Sequence, residues 1–178
     1  MNSYDRLYGV AIDNYGIITS ARAKDMGISN MALVQLARRG RLIHIRRGVY
    51  RLAQYVPTEY DDYAQAVTSV GDGAYLYGES VIALLNLAPT NPTYIYVAFK
   101  GHSRKRLPKE IVLKLSPQDY SPTQLQGIPC QRVGDAILAA AATVSSDRLL
   151  KAAKEAYRTG YLSKNEYGKI SKAIRGAQ

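Results

Sequence analysis

The sequence predicts an α+β protein. The first observation is that apolar residues near the N-terminus recur at helical spacing, in short runs that end at glycines. The second is that apolar and polar residues then alternate, as in a strand, on both sides of an Arg-Arg-Gly tripeptide. The third is that strand-like runs such as TYIYVAF and helical runs are mixed along the rest of the chain. A length of 178 residues allows one domain or two small ones.

The first predicted helix begins with Ser3 as its cap and continues to about Tyr15. The tripeptide Asn14-Tyr15-Gly16 then breaks it. The spacing i, i+3, i+4, i+7 gives this helix one buried stripe. The stripe consists of Tyr4, Leu7, Tyr8, Ala11, Ile12 and Tyr15.

Two shorter helices follow, separated by a tight turn. Thr19 or Ser20 caps a helix that runs from Ser20 to Met26 and stops at Gly27. Ile28 is expected to fill the turn, and Ser29 to cap a third helix that continues through Arg39. The pattern predicts a helix-turn-helix.

The third helix has two distinct sides. Leu33, Leu36 and Ala37 are expected to face the core. The opposite side offers amide, apolar and guanidinium groups, which suit base edges and phosphates in a DNA major groove. That side consists of Asn30, Met31, Val34, Gln35 and Arg38.

A β-hairpin is predicted directly after this helix. Its strands are residues 42–45 and 49–52, and its turn is Arg46-Arg47-Gly48, where glycine tolerates a positive φ. A hairpin in this position is the wing of a winged helix. Its turn would place Arg46 and Arg47 against phosphates or in a minor groove. The alternative is a module of the same shape used only for protein contacts.

Charge is concentrated at the two ends of the chain. The net charge is +10, and residues 1–53 carry nine basic and three acidic side chains. Residues 54–147 carry seven basic and nine acidic side chains, and residues 148–178 carry eight and two. Clustered positive charge is what binding to a phosphate backbone requires, although it also serves solubility. We therefore expect double-stranded DNA as a partner, contacted by Thr19, Ser20, Ser29, Asn30, Met31, Val34, Gln35, Arg38, Arg39, Arg41, Arg46 and Arg47.

Several motifs of this segment resemble a known family. They are Gly16-Ile17-Ile18-Thr19, residues 21–27, Leu36-Ala37-Arg38-Arg39-Gly40 and Gly48-Val49-Tyr50-Arg51-Leu52. Together they are similar to the N-terminal winged helix of AbiEi-type antitoxins, bacterial proteins of type IV toxin–antitoxin and phage-abortive systems. The ending Leu-x-x-x-Gly, followed by Gly-Val-Tyr-x-Leu, is the most specific part.

The resemblance implies a function and a partner. The expected function is that of a repressor that binds an operator near its own promoter, an inverted repeat, and acts as an antitoxin. The implied functional partner is a nucleotidyltransferase-like toxin of AbiEii type, and direct contact with it stays open because type IV antitoxins need not touch their toxins. The alternative is a stand-alone transcription factor whose second domain binds a ligand or mediates assembly.

The remaining chain predicts a small mixed α+β domain with C-terminal helices. We expect a winged-helix domain at residues 1–55 and the second domain at residues 56–178. Strands are predicted at 75–77, 93–99, 110–115 and 128–133, and helices at 59–70, 79–86, 135–144, 147–159 and 163–175. Ser163 and Glu166 form a predicted capping box. The family resemblance extends more thinly here, at residues 80–87, Asp135 and residues 149–163.

This domain also carries basic side chains. They form a possible second basic surface for phosphate or an acidic partner, with a solvated surface as the alternative. Its members are Arg104, Lys105 and Arg106 on a predicted hairpin tip, and Lys151, Lys154 and Arg158 on one helix face.

No pattern for catalysis, a cofactor or a metal is present. The two histidines, His44 and His102, are distant in sequence, and Cys130 is the single cysteine. A metal-dependent nuclease strand needs an acidic residue two positions before its lysine, but Val112 stands two positions before Lys114. We therefore expect no enzyme activity and no cofactor. Without a long apolar run or a signal core, we expect a cytoplasmic protein that does not enter a membrane.

Overall fold

A computed structural model describes residues 2–90, 92–101, 103 and 105–177. It confirms the α+β class, with helices and two separate sheets. The chain divides into two compact units, Met1–Ser69 and Val70–Gln178. The prediction of domains at 1–55 and 56–178 stays a prediction.

The first unit has the order of elements of a winged helix. A three-stranded antiparallel sheet, ordered β1-β3-β2, packs with three helices, and a fourth helix follows. The elements are α1 (Ser3–Ile12), β1 (Ile17–Thr19), α2 (Ser20–Asp25), α3 (Asn30–Arg38), β2 (Leu42–Arg46), β3 (Val49–Leu52) and α4 (Asp61–Val70).

The ends of α1 differ from the prediction. Its cap is Asn2, not Ser3, because Asn2 Oδ1 accepts a hydrogen bond from Asp5 N at 2.9 Å. Asp5 in turn accepts from Asn2 N, which completes a capping box. The helix ends at Ile12 instead of Tyr15, since Tyr15 takes a φ of 56° that no right-handed helix contains.

Strand β1 was not among the predicted elements. It pairs with β3, with Ile18 opposite Tyr50, and both of its isoleucines are buried. A three-residue strand with neighbouring apolar residues shows no alternation, so periodicity could not reveal it.

The core of the first unit joins its sheet to α1, α2 and α3. Leu33 of α3 is fully buried, and Leu36 and Ala37 pack partly buried against the same cluster, as predicted. The buried members are Leu7, Ala11, Ile18, Ala23, Ile28, Leu33, Leu42, Tyr50 and Leu52.

In its described residues, the second unit is a mixed five-stranded sheet with four helices. The strand order is β6-β5-β4-β8-β7. The elements are β4 (Tyr75–Leu76), α5 (Glu79–Leu84), β5 (Ile95–Phe99), β6 (Ile111–Leu115), β7 (Thr123–Leu125), β8 (Ile128–Cys130), α6 (Val133–Ala139) with a 3₁₀ turn at Ala140–Ala142, α7 (Ser146–Arg158) and α8 (Lys164–Gly176).

Most predicted elements of this unit are present with shorter or shifted bounds. The predicted helix 135–144 begins earlier, at Val133, and tightens into the 3₁₀ turn. Strand β7 was missed because its sequence, Thr-Gln-Leu, contains a single apolar residue and gives no strand pattern. The capping box is confirmed: Ser163 Oγ accepts from Glu166 N at 3.3 Å, and Glu166 Oε2 accepts from Ser163 N at 2.8 Å.

A tyrosine links the loop after β6 to helix α6. The Tyr120 hydroxyl donates to Asp135 Oδ2 at 2.9 Å and accepts from Arg132 N at 2.9 Å. Its ring stacks on that of Tyr75, whose hydroxyl donates to Ser116 Oγ at 2.8 Å. Burial raises the pKa of both tyrosines, so these hydroxyls stay protonated and act as donors.

Candidate nucleic-acid interface

The turn between α2 and α3 is held by backbone and core contacts. Ile28 is buried, as predicted, and its N–H donates to the carbonyl of Ala23 at 2.8 Å. Ser29 caps α3, because its Oγ accepts from Ala32 N at 3.2 Å. These contacts fix the direction in which α3 leaves the turn.

The outward face of α3 is open to solvent. Met31 is 65% exposed, and Asn30, Gln35 and Arg38 are exposed as well, whereas Val34 is half-buried. Met31, Gln35 and Arg38 follow the i, i+4, i+7 spacing, so they form one ridge along the helix. An amide and a guanidinium on such a ridge can reach base edges and phosphates.

The residues at the start of α2 serve first as structural supports. Thr19 Oγ1 accepts from Arg22 N at 3.1 Å and caps the helix. Ser20 N donates to the carbonyl of Gly48 at 2.9 Å, which ties α2 to the wing. Both side chains are half-buried. Their positions at a helix N-terminus match those from which helix-turn-helix proteins contact a DNA backbone.

The wing is a short hairpin whose two arginines differ. The turn consists of Arg47 and Gly48, and Gly48 takes the expected positive φ, 73°. Arg47 is exposed, whereas Arg46, at the end of β2, is half-buried. Arg47 is therefore the better placed of the two to contact a phosphate.

Arginines also surround the C-terminal end of α3. Arg38, Arg39 and Arg41 are all exposed. The N–H of Arg41 closes the helix by donating to the carbonyl of Leu36 at 2.9 Å. Its guanidinium carbon lies 5.2 Å from the ring centroid of Tyr4, which restricts the side chain without burying it. Three cations thus lie beside the helix end, a few residues before the wing.

Arg51 has a different role from these arginines. It is half-buried, and its Nη2 donates to Gln65 Oε1 at 2.7 Å and lies 3.7 Å from Asp61 Oδ2. The side chain thus joins β3 to α4. Sequence reasoning could not identify this pair, because residues ten positions apart on a strand and a helix share no periodic pattern.

The proposed second basic surface is only partly described. Arg104 lies outside the described residues, as does His102. Lys105 and Arg106 are exposed. On α7, the exposed Lys151, Lys154 and Arg158 border an open cleft of about 480 Å³ together with Asn86, Leu87, Ala88 and Pro89.

Lys151, Lys154 and Arg158 on α7 give this helix face a smaller net positive charge than three basic residues would indicate. Arg158 donates to both carboxylate oxygens of Glu155, at 2.6 and 2.8 Å. These bonds lower the pKa of Glu155, so the pair is ionised and neutral in sum. Lys151 and Lys154 therefore carry the net positive charge of this helix face.

The described residues contain no group of three or more His, Cys, Asp or Glu side chains that could hold a metal ion. His44 packs against Tyr50, with ring centroids 5.0 Å apart. Cys130 is buried, and desolvation raises the pKa of its thiol to about 12. The thiolate that a nucleophile requires is therefore scarce at neutral pH.

Over the described ranges, none of the helices is long and apolar enough to cross a membrane.

Comparison with known proteins assigns the N-terminal segment. Residues 5–53 match the family described as "Transcriptional regulator, AbiEi antitoxin". The match runs from within α1 to just past β3, so the AbiEi-type segment coincides with the winged helix and includes the open face of α3 and the wing. The resemblance found in the sequence is confirmed for these residues. The matched family is described as one of transcriptional regulators and antitoxins.

Two other comparisons concern the whole chain. No curated protein matches it. Among solved structures, it is similar to the RV2827C protein from Mycobacterium tuberculosis, with 14% identity and a TM-score of 0.39 over 97% of this chain and 82% of that one. Neither the identity nor the TM-score is high enough to transfer a fold or a function to this chain.

Proposed function

We propose that this chain is a sequence-specific DNA-binding repressor and the antitoxin of a type IV toxin–antitoxin system. It represses its own operon by binding an operator, an inverted repeat, near its promoter. It counters a nucleotidyltransferase-like toxin of AbiEii type. The match of residues 5–53 to AbiEi antitoxin regulators supports the general role, and the geometry of the first unit supports the DNA-binding step.

The observation that carries the proposal is the arrangement of exposed groups around α3. Met31, Gln35 and Arg38 form its open ridge, while Leu33 on the opposite side anchors the helix in the core. A helix held in this way can enter a major groove without losing core contacts. Gln35 then reads a base edge, because an amide can donate to and accept from adenine at once.

The arginines supply the contacts that do not depend on sequence. Arg47 at the wing turn and Arg39 and Arg41 beyond α3 are exposed cations. Each can neutralise a phosphate and release a counterion, which gives affinity and fixes the register of the protein on the duplex. Thr19, Ser20, Ser29, Asn30, Val34 and Arg46 complete the proposed contact set.

The experiment is a reporter assay in cells, followed by a toxicity assay. A promoter fragment from upstream of the gene drives the reporter, and the full chain is expressed in trans. We expect repression by the wild-type chain and loss of repression by Gln35→Ala at equal protein levels. Unchanged reporter output with the wild-type chain would contradict the repressor role.

The antitoxin role is tested separately from repression. A nucleotidyltransferase-like gene next to this one is expressed from an unrelated promoter, with and without the full chain. We expect arrested growth without the chain and restored growth with it, and a pull-down then shows whether the two proteins touch. Persistent arrest in the presence of the chain would contradict the antitoxin role and leave the repressor role intact.

A further inference from the structure

Strand β6 forms one edge of the five-stranded sheet. It pairs in parallel with β5, from Ile95 opposite Ile111 to Phe99 opposite Leu115. Among the described strands none pairs with its other side. An unprotected edge of this kind presents a row of backbone donors and acceptors to any strand that can reach it.

The hydrogen bonds at the two ends of β6 show which residues face the open side. Ile95 N donates to the carbonyl of Glu110 at 2.7 Å, and Ser116 N donates to the carbonyl of Phe99 at 3.0 Å. In a parallel ladder, alternate residues of an edge strand direct both backbone groups to the neighbouring strand. The even-numbered residues of β6 therefore bond to β5, and Leu113 and Leu115 direct their N–H and C=O groups outward.

The same two residues carry exposed apolar side chains. Leu113 is 37% exposed and Leu115 is 72% exposed. Lys114, whose charge could protect the edge, lies on the other face of the sheet, with its ammonium 5.6 Å from the ring centroid of Tyr96. Pro108 and Pro117 flank the strand and confine the open edge to about its own length.

The sequence of β6 is complementary to itself when a second copy runs antiparallel. With Leu113 opposite Leu113, Ile111 of each copy lies opposite Leu115 of the other, so apolar residues meet on one face. On the other face Val112 lies opposite Lys114, and no two lysines are directly opposed. In this register the N–H and C=O groups of Leu113 meet those of its copy, and Leu115 N–H meets the carbonyl of Ile111, whose own N–H donates to the Pro108 carbonyl at 3.1 Å. A shift by one residue would turn the leucines to opposite faces.

We propose that β6 is an interface with a second copy of this chain, in which the two edges pair antiparallel about Leu113. The pairing joins two five-stranded sheets into one continuous sheet with a two-fold axis at Leu113. It does not depend on the proposed DNA-binding function. It would, however, supply the two-fold symmetry that an inverted-repeat operator requires.

Cysteine cross-linking of the full chain tests the register. Residues directly opposite in a hydrogen-bonded antiparallel pair have Cα atoms about 5.5 Å apart, within disulfide range. Leu113→Cys should therefore form a disulfide-linked dimer under mild oxidation. Leu115→Cys should not, because the two copies of residue 115 would lie about 14 Å apart. Because residue 115 is more exposed than residue 113, Leu115→Cys is a stringent control for random cross-linking. The native Cys130 is buried and should not contribute to cross-links.

The proposed pairing would be overturned if Leu115→Cys cross-linked as fast as Leu113→Cys, or if neither variant cross-linked. Sedimentation of the full chain over a concentration series gives an independent test without a cysteine. We expect a monomer–dimer equilibrium that Leu115→Lys weakens by about tenfold or more. Leu138→Lys alters a residue of α6 that is 42% exposed and should leave the equilibrium unchanged. A wild-type chain that is monomeric throughout, or equal effects of the two lysines, would also overturn the proposal.

Discussion

The Arg51 guanidinium lies 3.7 Å from the carboxylate of Asp61 and joins the last strand of the winged helix to α4. Asp61 is only 4% exposed. It also accepts hydrogen bonds from the backbone and hydroxyl of Thr58, both at 2.8 Å, and from the Tyr55 hydroxyl at 3.2 Å. The winged helix is thus fastened to the chain beyond residue 53, where the family match ends.

Replacing Asp61 should destabilise the first unit. Asp61→Ala leaves Arg51 half-buried without its counter-charge and removes the acceptor of Thr58, which should cost about 3 kcal/mol. Urea unfolding of the full chain, followed by far-ultraviolet circular dichroism, measures the loss. Asp62→Ala alters the neighbouring exposed carboxylate and should change the free energy of unfolding by about 0.5 kcal/mol or less. Equal losses for the two variants would refute the role of the pair.

A second prediction concerns packing around Gly16. A Cβ there would lie 2.4 Å from Tyr55 Cγ, whereas a Cβ at Gly27 would meet no heavy atom within 4 Å. The φ values are similar, 69° and 73°, so both alanine variants carry a backbone cost of about 1–2 kcal/mol. Gly16→Ala should cost about 2 kcal/mol more than Gly27→Ala because of overpacking. Thermal unfolding compares them, and identical midpoints would contradict the contact with Tyr55.

Arg47 should contribute to affinity for any DNA. Because it is exposed at the wing turn, Arg47→Ala should weaken binding to operator and random duplexes alike. It should also reduce the slope of log K against log salt concentration by about one unit. Fluorescence anisotropy at several salt concentrations measures the slope. Arg148→Ala, an exposed arginine of α7, should leave it unchanged. An unaltered slope for Arg47→Ala would indicate that the wing turn does not contact DNA phosphates.

Gln35 should contribute to sequence preference. If its amide reads a base edge, Gln35→Ala should cost about 1–3 kcal/mol on the operator and almost nothing on random DNA. Gln124→Ala, at an exposed position of β7, should change neither affinity. An equal loss of affinity on both duplexes would indicate that Gln35 contacts the DNA backbone instead of a base.

The thiol of Cys130 should be unreactive in the folded protein. Burial raises its pKa from 9.0 to about 12. The folded state thus binds the thiol proton more tightly than the unfolded state does. The resulting contribution to the free energy of unfolding is complete below pH 9 and is lost as the pH rises toward 12. A chromogenic disulfide reagent at pH 8 should label the thiol only when urea unfolds the chain. Fast labelling of the native protein would contradict its burial.

Much of the winged helix could be predicted because its signals are local. The cap at Ser29, the choice of Thr19 or Ser20 as the cap of α2, the turn at Gly27 and the hairpin at Gly48 each depend on a few neighbouring residues. The contacts that distinguish one arginine from another are not local. Nothing in the sequence separates the exposed Arg47 from the half-buried Arg46, or reveals that Arg51 bonds to α4. The edge position of β6 likewise follows from strand order, which the sequence pattern does not determine.

The most direct measurement is binding of the purified full chain to its own upstream DNA and to a scrambled duplex, across a salt series. We expect tighter binding to the upstream duplex, with affinity that falls steeply as salt rises. Weak binding that is equal on both duplexes would contradict this expectation and would make the winged helix a module for protein contacts.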